Sequence, residues 1–265
     1  MSDNSYIEKL KTIFKNSNDL YLIRISIGPV QEFIAEARKV RDLFIGSFLL
    51  SKITFESMKP IIDKDSAAII LPNLDHSPWK SNGLKIQKDF FPSLPNLYLA
   101  IIKKEDLSNL TKAMKEKITT FVKEITGKVH LKIQGIVQNN FNGWDDLWKS
   151  QIDKSINFTW IATPVSLNEI GNKYKDIYSE NQLFLEERKL TRTFEQWKGS
   201  NVEKCIQCGH REVLGPEGFG KESPNRKFWD FILKKFSIDK DLRYKLKTNE
   251  RLCAICKVYP IVKTE

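Results

Sequence analysis

Tyr21, Ile23, Ile25 and Ile27 alternate with Leu22, Arg24 and Ser26, a period of two that predicts a half-buried strand over residues 21–27. Gly28-Pro29 ends that run, and the fixed φ of proline suits a first helical position. Val30, Phe33, Ile34, Ala37, Phe44 and Phe48 then recur at spacings of three and four, predicting one amphipathic helix from residue 29 to about residue 55. Ala67–Leu71 and residues 97–102 read as two more strands. The stretch between them carries Pro72, Pro78, Gly83, Pro92 and Pro95 and predicts a long-looped hairpin. Over residues 105–126, Leu107, Leu110, Met114, Ile118, Phe121, Val122 and Ile125 keep helical spacing. Glu105 and Asp106 stand where a helix dipole favours acids. Residues 156–163 predict a fourth strand, terminated by Pro164.

Strand, helix, strand, strand, helix, strand is the order of the split βαβ unit. The expected class is therefore α+β: a ferredoxin-like, palm or RRM-type domain with helical insertions, residues 127–155 being inserted before the last strand. Beyond Val165 the composition turns to helices and polar loops around the cysteines. This predicts a division into residues 1–165 and a small, mostly helical four-cysteine module over residues 166–265.

The chain's four cysteines fall as two tight pairs, Cys205-Ile-Gln-Cys208 and Cys253-Ala-Ile-Cys256. Two intervening residues let both sulfurs of a pair turn onto one metal, and Gly209 suits the backbone reversal after the first pair. The pattern predicts one structural zinc per chain. Closing the long loop from Gly209 to Leu252 costs roughly 1 kcal/mol more than closing about 15 residues. A structural zinc contributes about 10–16 kcal/mol, so the metal outweighs that entropy. Two disulfides or four idle thiols are the alternatives, and nothing in the sequence points to an oxidising compartment.

A chain of 265 residues with 41% hydrophobic content can fill a proper core. The polar start, Met1-Ser2-Asp3-Asn4-Ser5, and the absence of an apolar run long enough to cross a bilayer predict a cytoplasmic protein without a membrane partner. A formal net charge of +10 favours a polyanionic partner such as RNA or DNA. Basic residues dominate residues 221–251, interleaved with Phe228, Trp229, Phe231, Phe236 and Tyr244. Such a mixture either stacks on and neutralises a single strand or forms a helix core beneath a solvated basic face. Gly143-Trp-Asp-Asp146 mimics a catalytic carboxylate hairpin. An amphipathic stretch follows it, so Asp145 and Asp146 are expected in the first turn of a helix.

Residues 28–51, from Gly28-Pro-Val-Gln-Glu-Phe-Ile-Ala-Glu-Ala-Arg-Lys-Val-Arg-Asp through Ser51, resemble the first palm motif of the large, polymerase/cyclase-type subunit of type III-B CRISPR RNA-targeting complexes. The strand carrying Trp160, the run from Arg188 to Trp197, the segment from Lys204 to Leu214 and Glu250-Arg-Leu-Cys-Ala-Ile-Cys256 resemble the same family in the same order. The family's HD nuclease signature does not occur here, since none of His76, His130 and His210 is followed by Asp. Its Gly-Gly-Asp-Asp hairpin is likewise not found. Polymerase-type transfer uses two divalent ions about 3.5–4 Å apart, held by palm carboxylates. The first strand ends Arg24-Ile-Ser-Ile-Gly28 and the region between the second and third strands offers only Asp75 and Asp89, so no catalytic residue is expected in this palm.

The resemblance implies a scaffold that completes a nucleotide pocket opposite a second palm. Gly28, Gln31, Arg38, Arg41 and Ser47 are the nucleotide-binding candidates, and ATP with Mg2+ is expected only in the assembled complex. Implied partners are a separate chain bearing the Gly-Gly-Asp-Asp palm, the other type III effector subunits, crRNA and target RNA. The alternative is a stand-alone zinc-containing nucleic-acid binder without enzymatic activity.

Overall fold

The computed structural model describes residues 3–14, 17, 19–35, 37, 40–74, 94–138, 140–191, 202–216, 218, 220, 222–238 and 251–256. Arg38, Asp75, His76, Asp89, Trp197 and Tyr244 lie outside the described residues, as does most of the expected long loop.

After helix α1 (Asp3–Ile13) comes strand β1 (Leu20–Gly28), then α2 (Val30–Ala35), α3 (Val40–Ile62), β2 (Ala67–Leu71) and β3 (Leu97–Lys103). A 3-10 turn (Lys104–Asp106) leads into α4 (Leu107–Val137), followed by α5 (Trp144–Asp153), β4 (Asn157–Val165), α6 (Leu167–Leu190) and α7 (Pro224–Ile238). The strands form one antiparallel sheet in the order β2-β3-β1-β4, as the split βαβ pattern requires. Ile25 sits opposite Tyr98 on β3 and Trp160 on β4, and β2 pairs with β3 as the hairpin reading predicts.

Four details differ from expectation. The helix expected over residues 29–55 is two helices: Ala37 lies outside both, its N–H reaching Ile34 in a tighter turn (3.2 Å), and α3 runs on to Ile62. Pro164 does not end β4 but pairs with Tyr21 inside it, which is tolerated because β4 is an edge strand. Glu105 and Asp106 fall in the 3-10 turn just before α4 rather than inside its first turn. Asp106 closes that turn, where Lys64 Nζ (2.5 Å) and Ser66 Oγ (2.8 Å) donate to its two carboxylate oxygens. Finally, α4 continues through Gly127 and Gly135 to Val137, where the apolar spacing alone suggested an earlier end.

Two compact units emerge, each assembled from separated segments: residues 1–28, 50–118 and 157–195, and residues 29–49, 119–156 and 196–265. The first contains the sheet. One sheet face carries Leu20, Leu22, Leu99 and Ile101, packed with Leu10 of α1, Phe14 just after it and Ile170 of α6. Ile23, Ile25, Tyr98 and Ala100 turn to the other face, where Tyr98 Oη meets Ser57 Oγ of α3 at 2.9 Å and burial pushes the phenol well above its ordinary range. Because α6 packs on the sheet, the units do not part at residue 165. Ser166 and Glu169 start α6 with a reciprocal capping box, so the helix leaves directly from the end of β4.

Arg24 is the reason α6 is fixed there. It is fully buried on β1, donating to Asn181 Oδ1 (2.8 Å) and to the Tyr178 carbonyl (3.0 Å), with its guanidinium 4.2 Å from the Tyr178 ring centre. Asn181 in turn donates to the Leu22 carbonyl (3.3 Å) and to Thr163 Oγ1 (3.0 Å), joining α6 to β1 and β4.

The second unit packs Val129, Ile133 and Val137 of α4, Trp144, Trp148 and Ile152 of α5, and Phe228, Trp229 and Ile232 of α7 into its buried set. Asp145 lies in the first turn of α5, as expected, and bonds His130, whose ring stacks on Trp144 with centroids 4.9 Å apart. The aromatics Phe228 and Trp229 are core: Trp229 Nε1 donates to the Leu214 carbonyl (2.8 Å), and Phe228 packs edge-on to Phe141. Arg226, Lys227 and Lys234 form the exposed face above them, so these two rings are not a stacking platform.

Candidate metal centre

Each knuckle has a local cause. In the first, the Gly209 N–H returns to the Cys205 carbonyl (2.8 Å) at φ +75°, a left-handed conformation that glycine adopts without strain. The Cys205 N–H donates to the Arg211 carbonyl (2.8 Å), and Lys204 bridges Glu212 across the reversal. In the second, the Cys256 N–H points to Cys253 Sγ (3.4 Å), the inward turn that brings both sulfurs to one side.

Backbone and side-chain ties bring the knuckles together. The Ile206 N–H donates to the Arg251 carbonyl (3.1 Å), the Leu214 N–H to the Leu252 carbonyl (2.9 Å), and Arg251 pairs with Glu203. The result gathers Cys205, Cys208, Cys253 and Cys256 with their sulfurs all within 4.8 Å of one another. Three of these residues are buried and Cys208 is half-buried.

All four are free thiols, and the Cys208–Cys253 sulfur separation of 3.9 Å is far beyond a disulfide bond. It matches the edge of a tetrahedron with metal–sulfur bonds of about 2.3 Å, which is roughly 3.8 Å. Hydrogen bonds from Cys205, then Cys253 and Cys256, hold the Cys208 thiol well below its ordinary range, while contact with Cys205 and the other two pushes Cys256 up. Crowded sulfurs share one another's protons in this way because four thiolates cannot ionise side by side without a cation to neutralise them. Sulfur count, spacing and burial fit a four-coordinate metal ion, and the cluster can hold one.

The remaining candidates are not gathered into one described site. Gly28 ends β1 opposite Asn157, Gln31 is exposed on α2, and Ser47 is half-buried on α3. Arg41 falls in α3, and Arg38 lies outside the described residues. The sequence reading relied on a long helix presenting amides just after Gly28. The helix that follows Gly28 is the six-residue α2. Sequence reasoning also missed Gln151 of α5, which touches both knuckles. Its only sequence signal is a polar residue beside Ile152 on an amphipathic helix.

Residues 22–127 match the family model described as CRISPR-associated protein Cmr2, N-terminal. A CRISPR system Cmr subunit Cmr2 from Pyrococcus furiosus is 31% identical over 166 residues, a stretch covering 59% of this chain and 19% of that protein. The chain thus spans about a fifth of that relative's length. Among solved structures, a chain of type III-B Cmr-beta in its apo state superposes with a TM-score of 0.64 at 17% identity, over 94% of this chain and 32% of the other. A chain of Cmr-beta bound to cognate target RNA gives 0.56 at 16% identity with the same coverage. At those identities the superpositions speak to fold alone. Motifs, family model and fold agree that the chain resembles the N-terminal portion of a Cmr large subunit.

Proposed function

We propose that this chain contributes the first palm and a zinc module to a type III CRISPR effector, acting as a scaffold that completes a nucleotide pocket with a second palm. The observation that carries the reading is the coincidence, in one chain, of a Cmr2-type match spanning β1, β2 and β3 with a four-sulfur cluster built from the family's paired-cysteine motifs. Zinc suits an all-thiolate, mostly buried tetrahedral set, and there it supplies neutralising charge and a fixed link between the knuckles. Within the pocket, Gly28 allows close backbone approach, and Gln31, Arg38, Arg41 and Ser47 are the groups that would meet nucleotide phosphate or base. Partners are a chain bearing the Gly-Gly-Asp-Asp palm, the other effector subunits, crRNA and target RNA.

The test is co-purification of this chain with such a palm protein, followed by ATP turnover measurements on each alone and on the pair. Stable association and turnover confined to the pair are expected; failure to join any type III subunit refutes the reading. The net charge of +10 favours a second reading, a nucleic-acid binder that needs no partner. It requires the isolated chain to bind RNA with affinity falling steeply as salt rises.

A further inference from the structure

We infer that Gln151 of α5 is a positioning residue for the metal centre, a single amide that clips the two cysteine knuckles at the spacing the metal needs. Its Oε1 accepts the N–H of Ala254 (2.8 Å), inside the second knuckle. Its Nε2 donates to the carbonyl of Glu212 (2.9 Å), on the return segment of the first. The orientation of the amide follows from the groups it meets: an Ala254 N–H faces one end and a Glu212 carbonyl the other, so only this orientation makes both bonds. Ala254 is fully buried, which makes an unmet N–H there expensive.

Other ties between the knuckles come from residues near the cysteines themselves: Ile206 to Arg251, Leu214 to Leu252, and Glu203 to Arg251. Gln151 comes from a different part of the chain, held by the buried Trp148 and Ile152 on the same helix. It therefore sets the separation of the two half-sites against an outside reference, as the groups behind metal ligands do when they orient them. The glutamine touches no sulfur, and its role is to hold backbone in place.

This inference rests on the reading that the cluster binds zinc, so the experiment measures zinc first. The chain is purified, its zinc per chain is counted, and zinc affinity is measured by chelator competition for wild type, Gln151→Ala, Gln151→Glu and Ile133→Ala. Gln151→Ala is expected to weaken zinc binding about 10- to 100-fold and to speed hydrogen exchange at the Ala254 amide. Gln151→Glu keeps an acceptor for that amide and loses the donor to Glu212, so its affinity falls less and Ala254 stays protected; it also carries the test if the alanine variant fails to fold. Ile133→Ala removes buried packing from α4 in the same unit, lowering Tm while leaving zinc affinity within about threefold of wild type. Zinc affinity unchanged in Gln151→Ala, or falling equally in Ile133→Ala, overturns the clip while leaving the metal site standing. A wild-type chain without zinc overturns the metal reading and the clip with it.

Discussion

Asn181→Ala removes the amide that accepts a hydrogen bond from a buried cation. Arg24 is 1% exposed on the central strand β1, and its described partners come from α6: the Asn181 side-chain oxygen, the Tyr178 carbonyl and the Tyr178 ring. Losing Asn181 removes a hydrogen bond to a charged donor, worth about 1.5–3 kcal/mol. It also strands the Leu22 carbonyl and Thr163 Oγ1, which lose a neutral bond of about 1 kcal/mol each. Partial relaxation brings the expected loss to about 3–5 kcal/mol, as for other buried charges deprived of a partner. For a unit of this size that corresponds to a fall in Tm of roughly 10 °C.

Thermal melting followed by circular dichroism measures the fall, and the Arg24→Met, Asn181→Leu double variant supplies the control. Replacing both partners by apolar side chains of similar length removes the need for neutralisation, so the double variant is expected to melt closer to wild type than Asn181→Ala does. A loss below about 1 kcal/mol for Asn181→Ala, or a double variant as unstable as the sum of its parts, would show that the guanidinium does not depend on α6 for its solvation.

Gly209→Ala and Gly215→Ala separate two uses of glycine near the metal. Both positions have positive φ, +75° and +144°, but a Cβ at Gly209 meets open space whereas one at Gly215 stands 2.8 Å from Asn225 Oδ1. The first is expected to lose about 1 kcal/mol and the second clearly more, as read from urea midpoints. Cys205→Ser combined with Cys253→Ser is expected to abolish the zinc bound per chain by elemental analysis, and zinc retained at full stoichiometry would contradict the four-sulfur site. Acid should destabilise the sheet unit through Glu56 and Asp106. Burial alone would raise both carboxyls, yet Lys59 and Lys52 at the first and Lys64 and Ser66 at the second hold them below their ordinary values. Such groups add stability above their unfolded pKa, which is lost as pH falls through the folded one, so Tm should drop below about pH 4 and Asp106→Asn should flatten that drop.

The strands were legible because their signal is local. The alternation over residues 21–27 and the apolar runs at Ala67–Leu71 and 97–102 lie where β1, β2 and β3 form, and their order alone gave the sheet topology. The cysteine cluster was legible for the same reason, since each pair carries its own turn. What sequence could not show were the decisions made by distant partners. Pro164 reads as a strand terminator until β4 is known to be an edge, and Arg24 reads as a solvated charge on an alternating strand until Asn181 arrives from α6. The break near Ala37 interrupts an apolar repeat that continues through it, so periodicity gives no warning there. Gln151 is invisible to pattern because its partners are backbone groups on two other segments.

The placement of α6 leads to a last prediction, about where this chain can be cut. A change in composition at Val165 invites a boundary there, and expressing residues 1–165 alone would test it. That fragment lacks Ile170, Ile177 and Tyr178, so the sheet face bearing Leu20, Leu22, Leu99 and Ile101 keeps only α1 as cover. Each buried aliphatic side chain returned to water forfeits about 1.5–3 kcal/mol, and Arg24 loses its three described partners at once. Extending the fragment to residue 195 restores the cover without adding any cysteine, and both fragments share the same segments of the second unit, so their difference reports on α6 alone. The shorter fragment is expected to bind a hydrophobic dye strongly and melt without cooperativity, the longer one to show a cooperative transition. Equal dye binding and equal melting would place α6 outside the sheet's core and restore the boundary after residue 165.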